Sequence, residues 1–366
     1  MGERPLRAGL IGASAEGRWG ALAHVPALQA LPEFELRAVC ATRPETALAS
    51  QRAYGVPLAF HDHRELVAHP EIDVVVIAVR VPHHAELTHS AIAAGKHVVT
   101  EWPLAASSDE ARGMLEAARV AGVRHAVGLQ ARTGPEVLAI RELIAEGFVG
   151  EPLSVAVRHV APFAGGGGRT RAGAWAASRS GGATMLTIRT GHDLDMLRFC
   201  LGEPARLSAR VRTLRPWRLT DSGEEIPTDA PDSIQVHAEL ASGATASLHI
   251  GGYPAPKTGW RMELHGTEGT LIAETPGLVQ WAAIRVSGAR IGEELRELLV
   301  PGRHHWVPAS VPAGEPYNTA QLLRRFARAI EEDGEMEPDF ATALSIHELL
   351  DAIQRSSDEA REIELS

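Results

Sequence analysis

The first strand-like run of the chain, Arg7–Ile11, gives way to Gly12-Ala13-Ser14-Ala15-Glu16-Gly17, a G-x-S-x-x-G turn that opens onto a helical pattern. A glycine-rich turn between strand and helix lets backbone approach a pyrophosphate, and the N-terminus of the helix favours its negative charge. Serine is the smallest polar replacement for the central glycine of such a turn, and its hydroxyl can bond a phosphate oxygen. Gly12, Ser14, Ala15 and Gly17 are therefore candidate phosphate-binding residues, set against the alternative of a plain tight turn. The second strand-like run ends at Cys40-Ala41-Thr42-Arg43-Pro44. A carboxylate there would bond a ribose 2′-hydroxyl; this chain offers a hydroxyl and a guanidinium, which suit a 2′-phosphate. Thr42 and Arg43 thus favour NADP, with NAD as the other option and a solvated loop arginine as the bland reading.

These turns need a parallel sheet behind them, and the first third of the chain has its pattern. Strand-like runs at Arg7–Ile11, Glu35–Cys40, Leu58–Phe60, Val74–Val79, His97–Thr100 and His125–Gly128 alternate with helical patterns at Gly17–Leu31, Pro44–Tyr54, Arg64–Ala68, His84–Ala94 and Ser108–Ala121. That alternation predicts a Rossmann-type, doubly wound α/β domain over residues 1–130. After Gly150-Glu151-Pro152 the texture changes to alternating apolar and polar residues, in Leu153–Val160, Ala205–Thr213, Ser233–Leu240, Ala244–Gly251, Arg261–His265 and Thr270–Glu274. This predicts an antiparallel α+β domain over residues 131–366, with helices near Gly182–Leu201, Thr319–Glu332 and Ala341–Ala352. Segments such as Ala244–Gly251 read as apolar on both faces, so the open sheet face is expected to be covered by another subunit.

The 366 residues exceed one ordinary core, and the net charge of −10 argues against a general nucleic-acid surface. No apolar stretch is long enough to span a bilayer, and the N-terminus carries no hydrophobic signal core, so a cytoplasmic location is expected. Cys40 and Cys200 fall in a strand and a helix, as buried thiols do. His61, His63, His83 and His84 lack a closing Cys or carboxylate pattern, and no metal site is expected. Lysine is scarce: Lys96 and Lys257 are the only two among 36 Lys and Arg residues.

Several segments resemble the Gfo/Idh/MocA family (glucose–fructose oxidoreductase and inositol dehydrogenase type). GKHVVTEWPLA at Gly95–Ala105 is similar to that family's GKHVxxEKPxA, VPHHAEL surrounds Pro82 and His84, and VGLQAR carries Gln130. IRELIAEGFVGEP and ELHGTEGTL resemble its linker helix and a hairpin of its second domain. The resemblance implies an NAD(P)-dependent oxidoreductase acting on a sugar, polyol or related cyclic alcohol, built as a homodimer or homotetramer. It adds Val79, Pro82, His84, Glu101, Trp102 and Gln130 to the cofactor-binding residues.

The family's catalytic lysine position holds Trp102, and the aspartate position of its GGxxxDxxxHxxD helix holds Ile188. A tryptophan N–H donates but does not titrate. Ser14, Trp19, Glu101-Trp102 and Gly191-His192-Asp193-Leu194-Asp195 are shared with the branch containing the fungal galactose-regulon repressors, which regulate by protein contact. Two functions follow: an oxidoreductase, or a non-catalytic NADP- or sugar-binding regulator. For the enzyme, His192 is the expected proton carrier, Asp195 its orienting carboxylate and Arg189 a clamp for a substrate anion. The bland readings are a core histidine, a salt bridge and a solvated arginine. Trp102 either stacks on sugar or nicotinamide or fills the space of the lysine, and Gly165–Gly168 with Arg169 and Arg171 reads as a lid or a linker.

Overall fold

The computed structural model describes residues 4–15, 19–161, 175–220, 222–253, 256 and 258–365. Gly17, the Gly165–Gly168 loop with Arg169 and Arg171, and Lys257 lie outside the described residues. The chain divides into two compact units, residues 1–130 with 306–344 and residues 131–305 with 345–366.

The first unit is built on six parallel strands: β1 (Leu6–Ile11), β2 (Phe34–Cys40), β3 (Leu58–Phe60), β4 (Val74–Ile77), β5 (His97–Thr100) and β6 (His125–Val127). Their order is β3-β2-β1-β4-β5-β6, so the winding reverses between β1 and β4. Every residue of β4 is buried, as expected of a β-branched run covered on both faces. The helices are α1 (Val25–Ala30), α2 (Pro44–Tyr54), α3 (His63–Ala68), α4 (His84–Ala93) and α5 (Ser108–Ala121). Proline opens α2 and Gly55 closes it at φ +66°, while the Ser107 hydroxyl caps α5 by accepting from Glu110 N–H. The single helix expected over Gly17–Leu31 is instead a π-helical stretch, Gly20–His24, followed by α1. Pro26, near the start of α1, has no N–H to continue a regular ladder into the preceding turn.

The segment 306–344, assigned from the sequence to the second domain, packs within the first unit. Its helix α8 (Glu315–Glu331) buries Leu322, Leu323 and Phe326 in one cluster with Leu28 and Leu31. The side-chain Oε1 of Gln321 accepts from the N–H groups of Trp306 and Val307, at 2.7 and 3.1 Å, and holds the incoming chain on α8.

The second unit centres on a nine-stranded sheet. Its main strands are β7 (Pro152–Val160), β8 (Pro204–Arg212), β11 (Ser233–Leu240), β12 (Thr245–Gly251), β13 (Gly259–Gly266), β14 (Gly269–Thr275) and β15 (Arg285–Arg290). Short β16 (Arg296–Glu297) and β17 (Ile363–Glu364) form the edges, and β9 (Trp217–Leu219) and β10 (Glu225–Pro227) pair separately. All neighbours are antiparallel except β12 and β7. Helices α6 (Pro135–Ala145), α7 (Gly191–Leu201) and most of α9 (Phe340–Glu359) belong to this unit.

The buried apolar residues of β12 keep to one face of this sheet. In β12, Ala246, Leu248 and Ile250 are buried, while Thr245, Ser247 and His249 point the other way. Across the outward face the register aligns Gln235, His249, Arg158, Arg261, Glu274 and Arg285 in one polar row. The expectation that β12 is apolar on both faces is therefore corrected: its period of two separates the apolar set completely. Replacing Phe326 with Ala should destabilise the first unit by about 3–5 kcal/mol. A lower urea midpoint with an unchanged slope would verify it; an unchanged midpoint would show that α8 is dispensable to this core.

Candidate functional site

In open parallel sheets ligands bind outside the carboxyl ends of the strands where the winding reverses. Here that point lies beyond Ile11 and Ile77. Gly12 takes φ +102°, and a Cβ on it would stand 2.2 Å from the carbonyl oxygen of Ala78. Only glycine permits this turn, which brings the loop after β1 against the loop after β4. A second close approach comes from Gly20, where a Cβ would stand 2.8 Å from the Gly12 carbonyl oxygen. Gly20 thus fills the packing role expected of a glycine in the fingerprint, and the sequence reading missed it three residues beyond Gly17.

Ser14 is half-buried and Ala15 exposed, and the Tyr54 hydroxyl donates to the Ser14 carbonyl at 3.2 Å. Burial pushes the Tyr54 phenol up, so it remains a donor. At the end of β2, Thr42 and Arg43 are exposed, with no acidic side chain between Cys40 and Pro44. Val79 is half-buried and Pro82 exposed on the loop after β4. These groups fit a dinucleotide: a glycine turn that brings backbone close, and a cationic edge at the next strand.

The remaining members of the expected set are tied to one another. Glu101, just beyond β5, has one carboxylate oxygen 2.6 Å from His24 Nε2, and Gln130 Nε2 donates to both of its oxygens at 3.1 and 3.2 Å. His24 and Gln130 are almost fully buried, so the carboxylate is held by two elements at once. His24 is another residue that the sequence reading missed; its long-range partner leaves no local signal. Nδ1 of His84 lies 2.9 Å from the Pro103 carbonyl and Nε2 lies 3.2 Å from that of Val79. Burial pushes the imidazole down, so it stays neutral with one N–H to donate, and it acts as a bracket between two loops. Trp102 is buried at 6% exposure, ahead of a cis bond to Pro103.

In the second unit the helix that carries the candidate residues begins with π-helical turns over Met185–Thr190 and continues as α7. Thr184 and Thr187 form a capping box at its start. Four ionisable side chains along these turns are buried: Arg189, His192, Asp193 and Asp195. Asp195 accepts from Arg132 Nε at 2.6 Å, forming a buried ion pair. Asp193 Oδ2 stands 2.9 Å from His159 Nδ1 on β7. Arg189 donates to the Ala161 carbonyl at 2.9 Å. Burial pushes its guanidinium down to about 10, against the pull of Asp193, which leaves it cationic at neutral pH. His192 is 5% exposed, and Ile188 is half-buried.

The structure thus brings Arg189, His192 and Asp195 onto one buried helix and adds Arg132, His159 and Asp193. Asp193 was legible as part of the GHDLD cluster, but its partner on β7 was not. Among the described residues, no group of three His, Cys, Asp or Glu is arranged to hold a metal, and no helix is long and apolar enough to cross a membrane.

Residues 6–129 match the family described as "Oxidoreductase family, NAD-binding Rossmann fold", and residues 137–272 match "GFO/IDH/MocA C-terminal domain". Levoglucosan dehydrogenase of Pseudarthrobacter phenanthrenivorans is 27% identical over 379 residues, covering 96% of each chain. The galactose/lactose metabolism regulatory protein GAL80 of Saccharomyces cerevisiae is 27% identical over 290 residues, 74% of this chain and 67% of that one. A solved levoglucosan dehydrogenase in complex with NADH and L-sorbose superposes with a TM-score of 0.83 at 25% identity, covering 99% of both chains. With both of its units matched and enzymes and a regulator among its relatives, the chain belongs to the Gfo/Idh/MocA oxidoreductase family.

Proposed function

We propose that this protein is an NADP-dependent oxidoreductase acting at a CH–OH group of a sugar, polyol or related cyclic alcohol. The observation that carries the reading is His192, retained on a helix whose position is fixed by the Asp195–Arg132 and Asp193–His159 pairs. The family resemblance and the sugar and polyol dehydrogenases among the relatives support the substrate class. A nicotinamide cofactor would supply the hydride chemistry when bound, and the chain's residues would bind and orient the reactants and move the proton. Gly12, Ser14 and Ala15 would hold the pyrophosphate, and Thr42 and Arg43 the 2′-phosphate. Glu101, Gln130 and His84 would brace the loops around it, with Val79, Pro82 and Trp102 as walls. His192 would take the substrate hydroxyl proton, with Arg189 directed at a substrate oxygen and Asp195, through Arg132, keeping the helix in place. Assembly as a homodimer or homotetramer rests on the family resemblance, because the outward sheet face is polar.

A specific observation favours a second reading, a non-catalytic NADP- or sugar-binding regulator. Trp102 and Ile188 stand where the family carries titratable side chains, and neither can exchange a proton. GAL80, a regulatory protein by name, is among the relatives.

Cofactor choice is tested at Arg43. Arg43→Ala should weaken NADPH by about 1.5–3 kcal/mol, the worth of a charge-assisted hydrogen bond, and leave NADH almost unchanged. Equal or tighter NADH binding by the parent in a fluorescence titration would sink the NADP assignment. The proton path is tested at His192. His192→Asn should lower turnover about 10²–10⁴-fold, with NADPH affinity within a few-fold of the parent. Unchanged turnover would move the proton path to another residue, and a parent inactive on every sugar and polyol would leave the regulator reading.

A further inference from the structure

On the sheet face packed against α7, three buried side-chain atoms have no hydrogen-bond partner: His159 Nε2, Asp193 Oδ1 and Trp260 Nε1. All three side chains are 1% exposed or less. They are neighbours. His159 and Asp193 are bonded through their other polar atoms at 2.9 Å, and Trp260 on β13 is the cross-strand partner of His159. Cross-strand partners share a sheet face with Cβ atoms about 4.5–5.5 Å apart. Buried donors and acceptors left unmatched carry their full desolvation penalty, and native proteins keep few of them. Three in one cluster, with Asp193 the residue next to His192 on the helix, mark a place built to meet a polar ligand.

The chemistry of the three atoms defines that ligand. The Asp193 carboxylate accepts from His159 Nδ1–H, which in the neutral ring leaves Nε2 as an acceptor. Asp193 Oδ1 is a second acceptor, and the Trp260 indole N–H is a donor. Two acceptors and one donor match hydroxyl groups, each of which donates once and accepts. They mismatch a phosphate or carboxylate, which only accepts. Arg189, four residues before Asp193, bonds the backbone at Ala161 beside this cluster and balances the carboxylate's charge.

We propose that His159, Asp193 and Trp260 form a hydroxyl-recognition subsite of the second unit, which selects polyhydroxylated substrates. This rests on the oxidoreductase reading for its substrate class, and it assigns specificity to one residue of α7 and two of the sheet. A site that hydrogen-bonds a hydroxyl from buried groups discriminates strongly against ligands lacking it.

The test is calorimetric titration of levoglucosan and of myo-inositol into the full-length protein saturated with NADPH. Trp260→Phe removes one N–H and keeps an aromatic ring. His159→Asn keeps a donor near the Nδ1 position for Asp193 and removes Nε2. Each should raise the Kd of the bound probe about tenfold or more, with NADPH affinity unchanged. Melting temperatures near the parent's would show that both variants fold. Should a variant not fold, a crystal structure of the parent with the probe decides: a probe hydroxyl on these atoms supports the subsite, and ordered water there with the probe bound elsewhere refutes it. If the parent binds a probe and both folded variants match its Kd within twofold, the subsite is wrong and the oxidoreductase reading stands. Binding of neither probe by the parent would overturn the subsite and the polyol reading together.

Discussion

A carboxylate with no exposure to water needs a cation, and Asp195 has one in Arg132. Breaking such a buried pair by removing one partner typically costs about 3–5 kcal/mol, because the other charge stays buried. The arrangement of the second unit around α7 follows from meeting that need. Arg132 also lies over the Phe199 ring at 5.1 Å, and Arg141 on α6 lies over the same ring at 4.1 Å, so α6 is drawn against α7. Asp193, two residues before Asp195, makes the matching connection to β7 through His159. Helix α7 is thereby fixed to another helix and to the sheet by groups that cannot be relaxed into solvent. His192 and Arg189 share that rigidity, which would serve the proton transfer proposed for His192.

The first unit meets a different constraint, close backbone approach. Gly12 against Ala78 sets the separation of the loops at the reversal point, and the His24–Glu101–Gln130 network fixes the end of β5 beside them. This second feature bears on Trp102, which by resemblance takes the place of the family's lysine. An ammonium at position 102 would be strongly hydrated and would need charge partners. A buried indole needs only packing and one acceptor for its N–H. Substituting one for the other alters proton chemistry while leaving the glycine turn and the cationic edge at Arg43 intact, so an indole at position 102 is compatible with the proposed cofactor site.

The fold was legible wherever period and turn chemistry agree. Leu58–Phe60, Pro44–Tyr54, His97–Thr100 and Ser108–Ala121 are found with the bounds that alternation, proline, serine and glycine dictate. The π-helical stretches Gly20–His24 and Met185–Thr190 were not legible, because an inserted residue per turn leaves an apolar pattern close to that of an α-helix. Nor was the placement of α8: its apolar stripe says that it packs on something, but not on which unit. The short strands Trp217–Leu219 and Arg296–Glu297 carry too few alternating residues to register. In the candidate site, single residues with strong local logic were visible, and pairings such as His159 with Asp193 were hidden by 34 residues of separation.

The two functional readings differ in less than their names suggest. Catalysis needs interactions that strengthen on the way to the transition state, and ground-state binding alone does not accelerate a reaction. The glycine turn, Arg43 and a hydroxyl subsite would all be ground-state contacts, useful equally to an enzyme and to a sensor. What separates the readings is a group able to take a proton as hydride leaves. On the resemblance, Trp102 and Ile188 take the family's titratable positions, and the proposed proton carrier is the histidine that α7 holds at position 192. On the proposed reading the enzyme depends on one titrating side chain where the pattern that it resembles uses three. A single further substitution there would leave a protein that still recognises cofactor and polyol but no longer turns them over. On these two readings, sensor and dehydrogenase are separated by proton transfer and not by binding.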